Sequence, residues 1–427
     1  MNRISLSFPV ADFFKTKCQM LNWARQFSIF CFLDNHAYKQ PFHDHECLLA
    51  AGSIAALERE AGHAFEDFRQ FSESARDWIF GHFSYDLKNE TESLHSHHPD
   101  YILFPDLYFF IPEILLELNN DSIKIGMHGN DHYRILDEIL AQPDTFEHNY
   151  RSAGIREKIS HKDYIESIKK IQKHIAYGDC YELNFCQEFY AEKSVLDPWY
   201  TYSLLSANSP MPFGAFYKHG DQFLLCASPE RFLKKKGDII LSQPIKGTAS
   251  RIPEHALLDE IEKNKLYNSA KERSENIMIV DLVRNDLSRI CSEGSVRVNE
   301  LYGIYSFPQV HQMISTISGN LTEGIAWSDA IRLTFPMGSM TGAPKKRAME
   351  LIEEYEKSKR GIFSGAIGYC NPEKDFDFNV VIRSIMYNSS NRYLSYQVGS
   401  AITFYSEPEK EYQECLLKAA AIKKSLE

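Results

Sequence analysis

A chain of 427 residues, 44% hydrophobic and 25% charged, has the composition of a soluble globular protein and is long enough for one large core or several domains. Its net charge of −11 argues against nucleic acid or an anionic membrane as partner, because phosphate binding needs a basic face. It leaves room for an anionic small molecule, which feels the field of its pocket rather than the global sum. There is no apolar run of roughly membrane-spanning length and no secretory signal in "MNRISLSFPVADFF". Nine scattered cysteines without a C-x-x-C pair fit reduced thiols in the cytoplasm.

Residues 1–150 alternate short aromatic strands, "FSIFCFLD" and "YILFPDLYFFI", with helical stretches such as "AGSIAALEREAGHAFEDF". "TESLHSHHPD" puts His95, His97 and His98 in a loop, without the cysteine or carboxylate spacing of a metal site. The polar region around Gln142–Gly154 reads as a boundary, giving an N-terminal region 1–150 and a second region 155–424. In "HKDYIESIKKIQKHIAYGD" the residues Tyr164, Ile168, Ile171 and Ile175 share a helical face, with Gly178 as the stop. "CYELNFCQEFYA" and "GDQFLLCASPERFLKKKGDIILSQPI" read as strands and turns, and a long helix is predicted after Pro253. A helix with Ala348, Leu351, Ile352 and Tyr355 inward follows Pro344. Three strands, "GIFSGAIGYC", "DFNVVIRSIMYN" and "RYLSYQVGSAITFY", precede a final helix from Pro408. Strands in pairs and triples between helices predict an α+β fold with helices outside sheets.

Two carboxylate pairs carry chemical interest. Glu272 and Glu275 in "AKERSENIMIVD", and Glu411 and Glu414 in "PEKEYQECLLKAA", are each spaced i,i+3, so each pair leaves one helix face. Exposed helices carry such pairs routinely, and Lys418 lies i,i+4 from Glu414 as a simple salt bridge would. Should the two helices face one another, four hard oxygen donors converge in a way that suits Mg²⁺. "FPMGSMTGAPKKRAMELI" is glycine-rich before a helix but does not meet the phosphate-loop pattern. In "LSQPIKGTAS", Lys246 sits between an isoleucine and a glycine, where a turn lysine would ordinarily face water.

Taken together, "SPERF", "PIKGT", "ERSENIMIVDLVRNDL", "FPMGSMTGAPKKRAMELI", "GIFSGAIGY", "VVIRSI" and "EPEKEYQECLLKA" resemble, in order and spacing, the chorismate-utilising enzymes. That family includes anthranilate, aminodeoxychorismate, isochorismate and salicylate synthases. The resemblance implies a β-sandwich of two large sheets flanked by helices, with Mg²⁺ and chorismate in its cleft. It implies Glu275 and Glu414 as direct metal ligands, Glu272 and Glu411 as holders of the ion's waters, and Glu230 as the acid that protonates the departing 4-hydroxyl. Thr248, His311, Thr341, Tyr369, Arg383, Gly399 and Lys418 match substrate-pocket positions, with Arg383 suited to a carboxylate.

Lys246 distinguishes the branches. Anthranilate synthases usually read Pro-Ile-Ala-Gly-Thr at this motif, whereas Pro-Ile-Lys-Gly-Thr resembles the enzymes that make 4-amino-4-deoxychorismate for 4-aminobenzoate and folate. There the lysine amine adds at C2, the 4-hydroxyl leaves, ammonia adds at C4 and the lysine departs. A desolvated cleft that lowers the lysine pKa would favour the neutral amine. Water-using relatives carry a lysine base near "YELNFCQ", where this chain has Glu182. The tryptophan-binding Leu-Leu-Glu-Ser of feedback-inhibited anthranilate synthases is matched only by Leu48-Leu49-Ala50-Ala51, which argues against that regulatory site. Since the chorismate motifs account for the chain and no glutaminase segment is present, ammonia is expected from a separate glutamine amidotransferase subunit. Anthranilate synthase component I is the alternative reading.

Overall fold

The computed structural model describes residues 3–39, 42–147 and 154–427. Its frame is a twelve-stranded sheet and a ten-stranded sheet, with every pairing between named strands antiparallel. Strands from before residue 150 and after residue 155 sit side by side in both. Ile29–Asp34 pairs with Phe213–His219 in the larger sheet, and Ile79–Phe83 pairs with Ala366–Cys370 in the smaller. The two sequence regions therefore share their sheets and their cores. The boundary expected between them falls partly on 148–153, outside the described residues.

Side-chain alternation explains the layering. Along Ile29–Asp34, Ile29 and Cys31 join one apolar cluster while Phe30 and Phe32 join another. Successive strand residues point to opposite faces, so a strand buried on both sides reads as a continuous apolar run. The Phe30 and Phe32 face lies under helices, including His161–Tyr177, whose Tyr164, Ile168 and Ile171 are buried and whose end is capped by Gly178 at φ 86°. In the smaller sheet, Phe83, Phe109 and Phe378 face the helices that supply Phe68 and Trp327, with Phe68 and Phe109 ring centres 4.4 Å apart. His82 points the other way and meets Tyr217 Oη of the larger sheet at 3.1 Å. Burial holds the His82 pKa down to about 3, so the sheets are bridged by a neutral imidazole.

Three expectations are corrected. The helical reading of 51–68 gives way to a strand, Ala55–Arg59, followed by the helix Ala64–Ser74. Pairing with Leu107–Ile111, with Leu57 turned inward, overrides the helix propensity of Ala, Leu and Glu. The long helix after Pro253 is two helices, Ala256–Asn268 and Ala270–Ser288. Ser269, extended at the break, accepts the Glu272 amide at 3.3 Å and starts the second helix. Finally, "DFNVVIRSIMYN" is divided: Phe376–Asn379 belongs to the smaller sheet and Ser384–Asn388 to the larger. The chain also changes sheets between Gln222–Ser228 and Arg231–Lys236, at Pro229 and Glu230.

A buried ion pair locks this frame near the cleft. Arg360 donates to Glu356 at 2.6 and 2.9 Å, to Met340 O at 2.6 Å and to Asn184 O at 2.8 Å, and lies 4.5 Å from the Tyr85 ring centre. Glu356 also accepts the Cys186 amide at 2.8 Å. Among the described residues no helix is long and apolar enough to cross a membrane, and all nine cysteines are free. Truncating one partner of such a pair strands the other charge, so Arg360→Ala should cost about 3–5 kcal/mol in urea denaturation. A loss under about 1 kcal/mol would mean that the pair contributes no more than a surface contact.

Candidate active site

Two of the segments that change sheets, after Ser228 and after Asn379, lie against each other. Val380 N donates to Glu230 O at 3.0 Å, and Ala227 N donates to Arg383 O at 3.3 Å. Ser228 Oγ donates to Val380 O at 2.6 Å and accepts the Glu230 amide at 3.2 Å. Both functional side chains thus enter the space between the sheets, where a cavity of ≈ 350 Å³ opens. Burial pushes Glu230 up to about 7, against the pull of Ser339, Lys246 and Arg383. Burial lowers Arg383 to about 10, with Glu230 opposing, and Arg383 sits at a positive φ of 52°. Among the described residues the Arg383 guanidinium has no carboxylate in ion-pair contact.

Lys246 owes its aim to a β-bulge. In Ile245–Ser250, Ile245 pairs with Ile314 but Thr248 pairs with Gln312, so the strand carries one extra residue at Lys246 and Gly247. Gly247 takes φ 96°, and a Cβ there would stand 3.0 Å from Glu272 Oε2. The bulge directs Lys246 into the cavity, where Nζ donates to Glu182 Oε1 at 2.7 Å with the lysine side chain only 11% exposed. The expected lowering of its pKa is not found. Burial pulls it down, but Glu182 and Glu275 outweigh burial and the net shift is upward.

The two carboxylate helices do face each other across the cavity. Burial pushes Glu275 up to about 7, and its Oε1 has no hydrogen-bond partner. Glu272 is also raised by burial. Burial works against Glu414 as well, but Lys418 at 2.7 Å keeps its net shift downward. Lys271 Nζ lies 3.8 Å from Glu275 and 3.5 Å from Glu411, an ammonium inside the carboxylate cluster. Lys418 also donates to Gly399 O at 3.0 Å. Among the described residues, the metal-type trio with ligand atoms mutually within 4.8 Å is instead Asp34, Glu46 and Cys47. There Asp34 is already paired with Lys17 at 2.7 Å.

Glu230, Lys246, Thr248, Glu272, Glu275, Arg383, Gly399, Glu411, Glu414 and Lys418 all line the one cavity. His311, Thr341 and Tyr369 do not. His311 is turned away by strand alternation and bonds Ser306 at 2.8 Å and Asp259 at 3.1 Å, while its neighbour Gln312 lines the cavity. Thr341 Oγ1 turns back to Gly338 O at 3.2 Å, and its carbonyl accepts Asn184 N at 2.8 Å, so it shapes the wall from behind. Tyr369 packs on Trp78 with ring centres 5.4 Å apart and lines a separate cavity with His43, His45 and Asp377. Of the loop histidines, His98 turns to the protein: its Nε2 meets Glu353 O at 2.7 Å. Sequence reading passed over Lys271, Gln312 and Ser339, of which only Ser339 stood in a segment already singled out for its glycines.

A two-sheet frame with an acid, an amine and four carboxylates in one cleft defines a class. The chorismate binding enzyme family model matches residues 30–424, and the chain belongs to that family. Among its relatives, aminodeoxychorismate synthase component 1 of Escherichia coli is 36% identical over 354 residues, 81% of this chain and 76% of that protein. The protein of the same name from Bacillus subtilis is 33% identical, covering 87% and 80%. Among solved structures, anthranilate synthase component I from Streptococcus pneumoniae has a TM-score of 0.77 at 25% identity, covering 90% of this chain and 95% of that one. The menaquinone-specific isochorismate synthase of Escherichia coli shares the fold at a TM-score of 0.77 with 16% identity.

The Glu230 shift has a measurable consequence in the substrate-free protein. A carboxyl with a raised folded pKa contributes stability below the ordinary carboxylate range and loses it as pH rises through about 7. Glu230→Gln should therefore gain on wild type between pH 5 and pH 8, by on the order of 1–3 kcal/mol in denaturant titrations. A difference that does not change with pH would mean that Glu230 titrates normally.

Proposed function

We propose that this chain aminates chorismate to 4-amino-4-deoxychorismate, as the ammonia-using component of a two-subunit enzyme in 4-aminobenzoate formation. The observation that carries the reading is Lys246, a buried amine aimed by a bulge into the cleft that also holds Glu230 and an Arg383 without an ion pair among the described residues. Relatives at 36% and 33% identity bear the aminodeoxychorismate synthase name, whereas the anthranilate synthase likeness stands at 25%.

Each residue has a chemical task. Chorismate is a dianion, and the guanidinium of Arg383 supplies two parallel donors for one of its carboxylates. Lys246 forms the bond to C2. Glu230, kept protonated towards neutral pH by burial, gives its proton to the departing 4-hydroxyl, which leaves as water. Ammonia then adds at C4, Lys246 departs from C2, and Glu230 takes back a proton from the new C4 ammonium. The helices Ala270–Ser288 and Pro408–Lys418 line one side of the cleft and reduce the solvent that would otherwise compete for the ring.

The carboxylate cluster fits a divalent cation by its chemistry: four hard oxygen donors, one of them Glu275 Oε1, buried and without a hydrogen bond although Lys271 Nζ lies 3.8 Å away. Glu275 and Glu414 would hold Mg²⁺ directly, and Glu272 and Glu411 through water. Bound there, Mg²⁺ would supply Lewis-acid polarisation of the ring carboxylate. The nine free cysteines support a reducing cytoplasm, and ammonia would come from a separate glutamine amidotransferase.

Incubated with chorismate, Mg²⁺ and ammonium at high pH, the chain should yield the 4-amino product, identified by mass and regiochemistry. It should fail with glutamine alone and gain glutamine-dependent turnover when the glutaminase is added. Chelation should abolish turnover, and Glu230→Gln should slow it by about 10²–10⁴-fold. A 2-amino product from the wild type would move the chain to the anthranilate branch, and full activity of Glu414→Ala without metal would remove the Mg²⁺ assignment.

A further inference from the structure

One buried carboxylate beside the cleft, in contact with Lys246, has no task in the scheme above. Glu182 opens the strand Glu182–Ala191, is 2% exposed, and is fixed by its pairing with Ala343. Its Oε1 accepts the Lys246 ammonium at 2.7 Å, while Oε2 is buried without a hydrogen-bond partner. The other charged groups acting on Lys246 are Glu230 on the sheet-changing segment, Glu272 and Glu275 on one helix, and Glu414 and Lys418 on the other. Among the described residues, Glu182 is the one carboxylate in direct hydrogen-bond contact with Nζ.

We infer that Glu182 is the base that takes the Lys246 proton before the amine bonds to C2 and gives it back when the amine departs. The inference rests on the reading of Lys246 as nucleophile. An ammonium has no lone pair, so one N–H bond must break first; the proton moves along the existing hydrogen bond to Glu182, and Oε2 gives the resulting acid a second oxygen free of competing contacts. The freed lone pair forms the N–C2 bond, the diene pairs shift towards C4, and the C4–O bond breaks as Glu230 protonates the leaving oxygen. When ammonia adds at C4 the pairs shift back, the C2–N bond breaks, and the neutral amine recovers its proton from Glu182. The ion pair is restored and no outside acid or base is consumed at Lys246.

The test reads the first half-reaction alone. The full chain is mixed with chorismate and Mg²⁺, ammonia is withheld, and quenched samples are weighed intact for an adduct of chorismate less one water. Wild type should form it at a rate whose pH dependence is set by Glu230, falling as that acid ionises above about 7. Glu182→Gln keeps the size and an accepting oxygen but cannot carry the proton. It should be about 10²-fold slower than wild type at pH 7, the ratio to wild type recovering about tenfold per pH unit, with half-saturation by chorismate unchanged. Glu182→Asp should be slower than wild type by the same factor at every pH, and it decides the matter if the glutamine variant does not fold; a ratio of Glu182→Asp to wild type that rises with pH overturns the inference. So does a Glu182→Gln rate equal to wild type, or one lowered equally at every pH, since either leaves Glu182 a mere counter-charge. If wild type forms no adduct, the Lys246 reading falls and this inference with it. If the adduct forms in wild type, is absent in Lys246→Ala and is normal in Glu182→Gln, only the inference falls.

Discussion

Two backbone hydrogen bonds, Val380 N to Glu230 O and Ala227 N to Arg383 O, hold the place where the chain twice changes sheets. A strand that leaves one sheet for another must give up ladder partners, and buried peptide groups cannot go unpaired. Here the two departing segments satisfy one another. The price of that arrangement is backbone strain at Arg383, whose φ of 52° no ordinary strand residue adopts. Its product is a fixed gap between the sheets with an acid on one crossing and a guanidinium on the other. Everything else in the site is aimed at that gap: the bulge carrying Lys246, and the two helices carrying carboxylates.

The charges in the gap are not distributed as the whole chain would imply. A protein of net charge −11 presents Lys246, Lys271, Arg383 and Lys418 to the same cavity. Three of these are already paired: Lys246 with Glu182, Lys271 with Glu275 and Glu411, and Lys418 with Glu414. Pairing removes the cost of leaving each ammonium desolvated but spends it as an anchor for an anion. Arg383 is the cation left over, and its pKa, although lowered by burial to about 10, still leaves it charged at neutral pH. The cavity therefore keeps one guanidinium out of ion pairs among the described residues, while the lysines set the positions of the carboxylates around it.

Much of this was legible before any coordinates. The i,i+3 spacing placed each carboxylate pair on one helix face, since 3.6 residues per turn leaves little choice, and the family motifs predicted two sheets with helices outside. The crossings were hidden because period-two alternation continues through them: "DFNVVIRSIMYN" reads as one strand although its halves lie in different sheets. The same periodicity decided His311 against Gln312, which differ only in which face of the strand they occupy. Motif matching carries position but not side-chain direction, and Tyr369 was lost to a different cavity for that reason. The bulge at Lys246 was marked only by its glycine. What a sequence cannot supply is the partner 64 residues away, Glu182, which reverses the expected effect of burial on the lysine.

That reversal bears on how two proton-bearing groups in one cleft keep distinct roles. Glu230 and Lys246 both hold a proton more firmly than they would in water, yet for opposite reasons. Burial without an ionic contact favours the neutral acid, whereas contact with a carboxylate favours the charged amine. The first condition suits a donor, because a proton held by desolvation is released as negative charge grows on a nearby leaving oxygen. The second suits a resting nucleophile, because an amine held as ammonium cannot react with stray electrophiles until its proton has moved. A cleft that was uniformly dry would supply the acid but leave the lysine exposed to side reactions; one that was uniformly charged would protect the lysine but ionise the acid. Placing Glu182 beside Lys246 while, among the described residues, no cation is in ion-pair contact with Glu230 satisfies both at once.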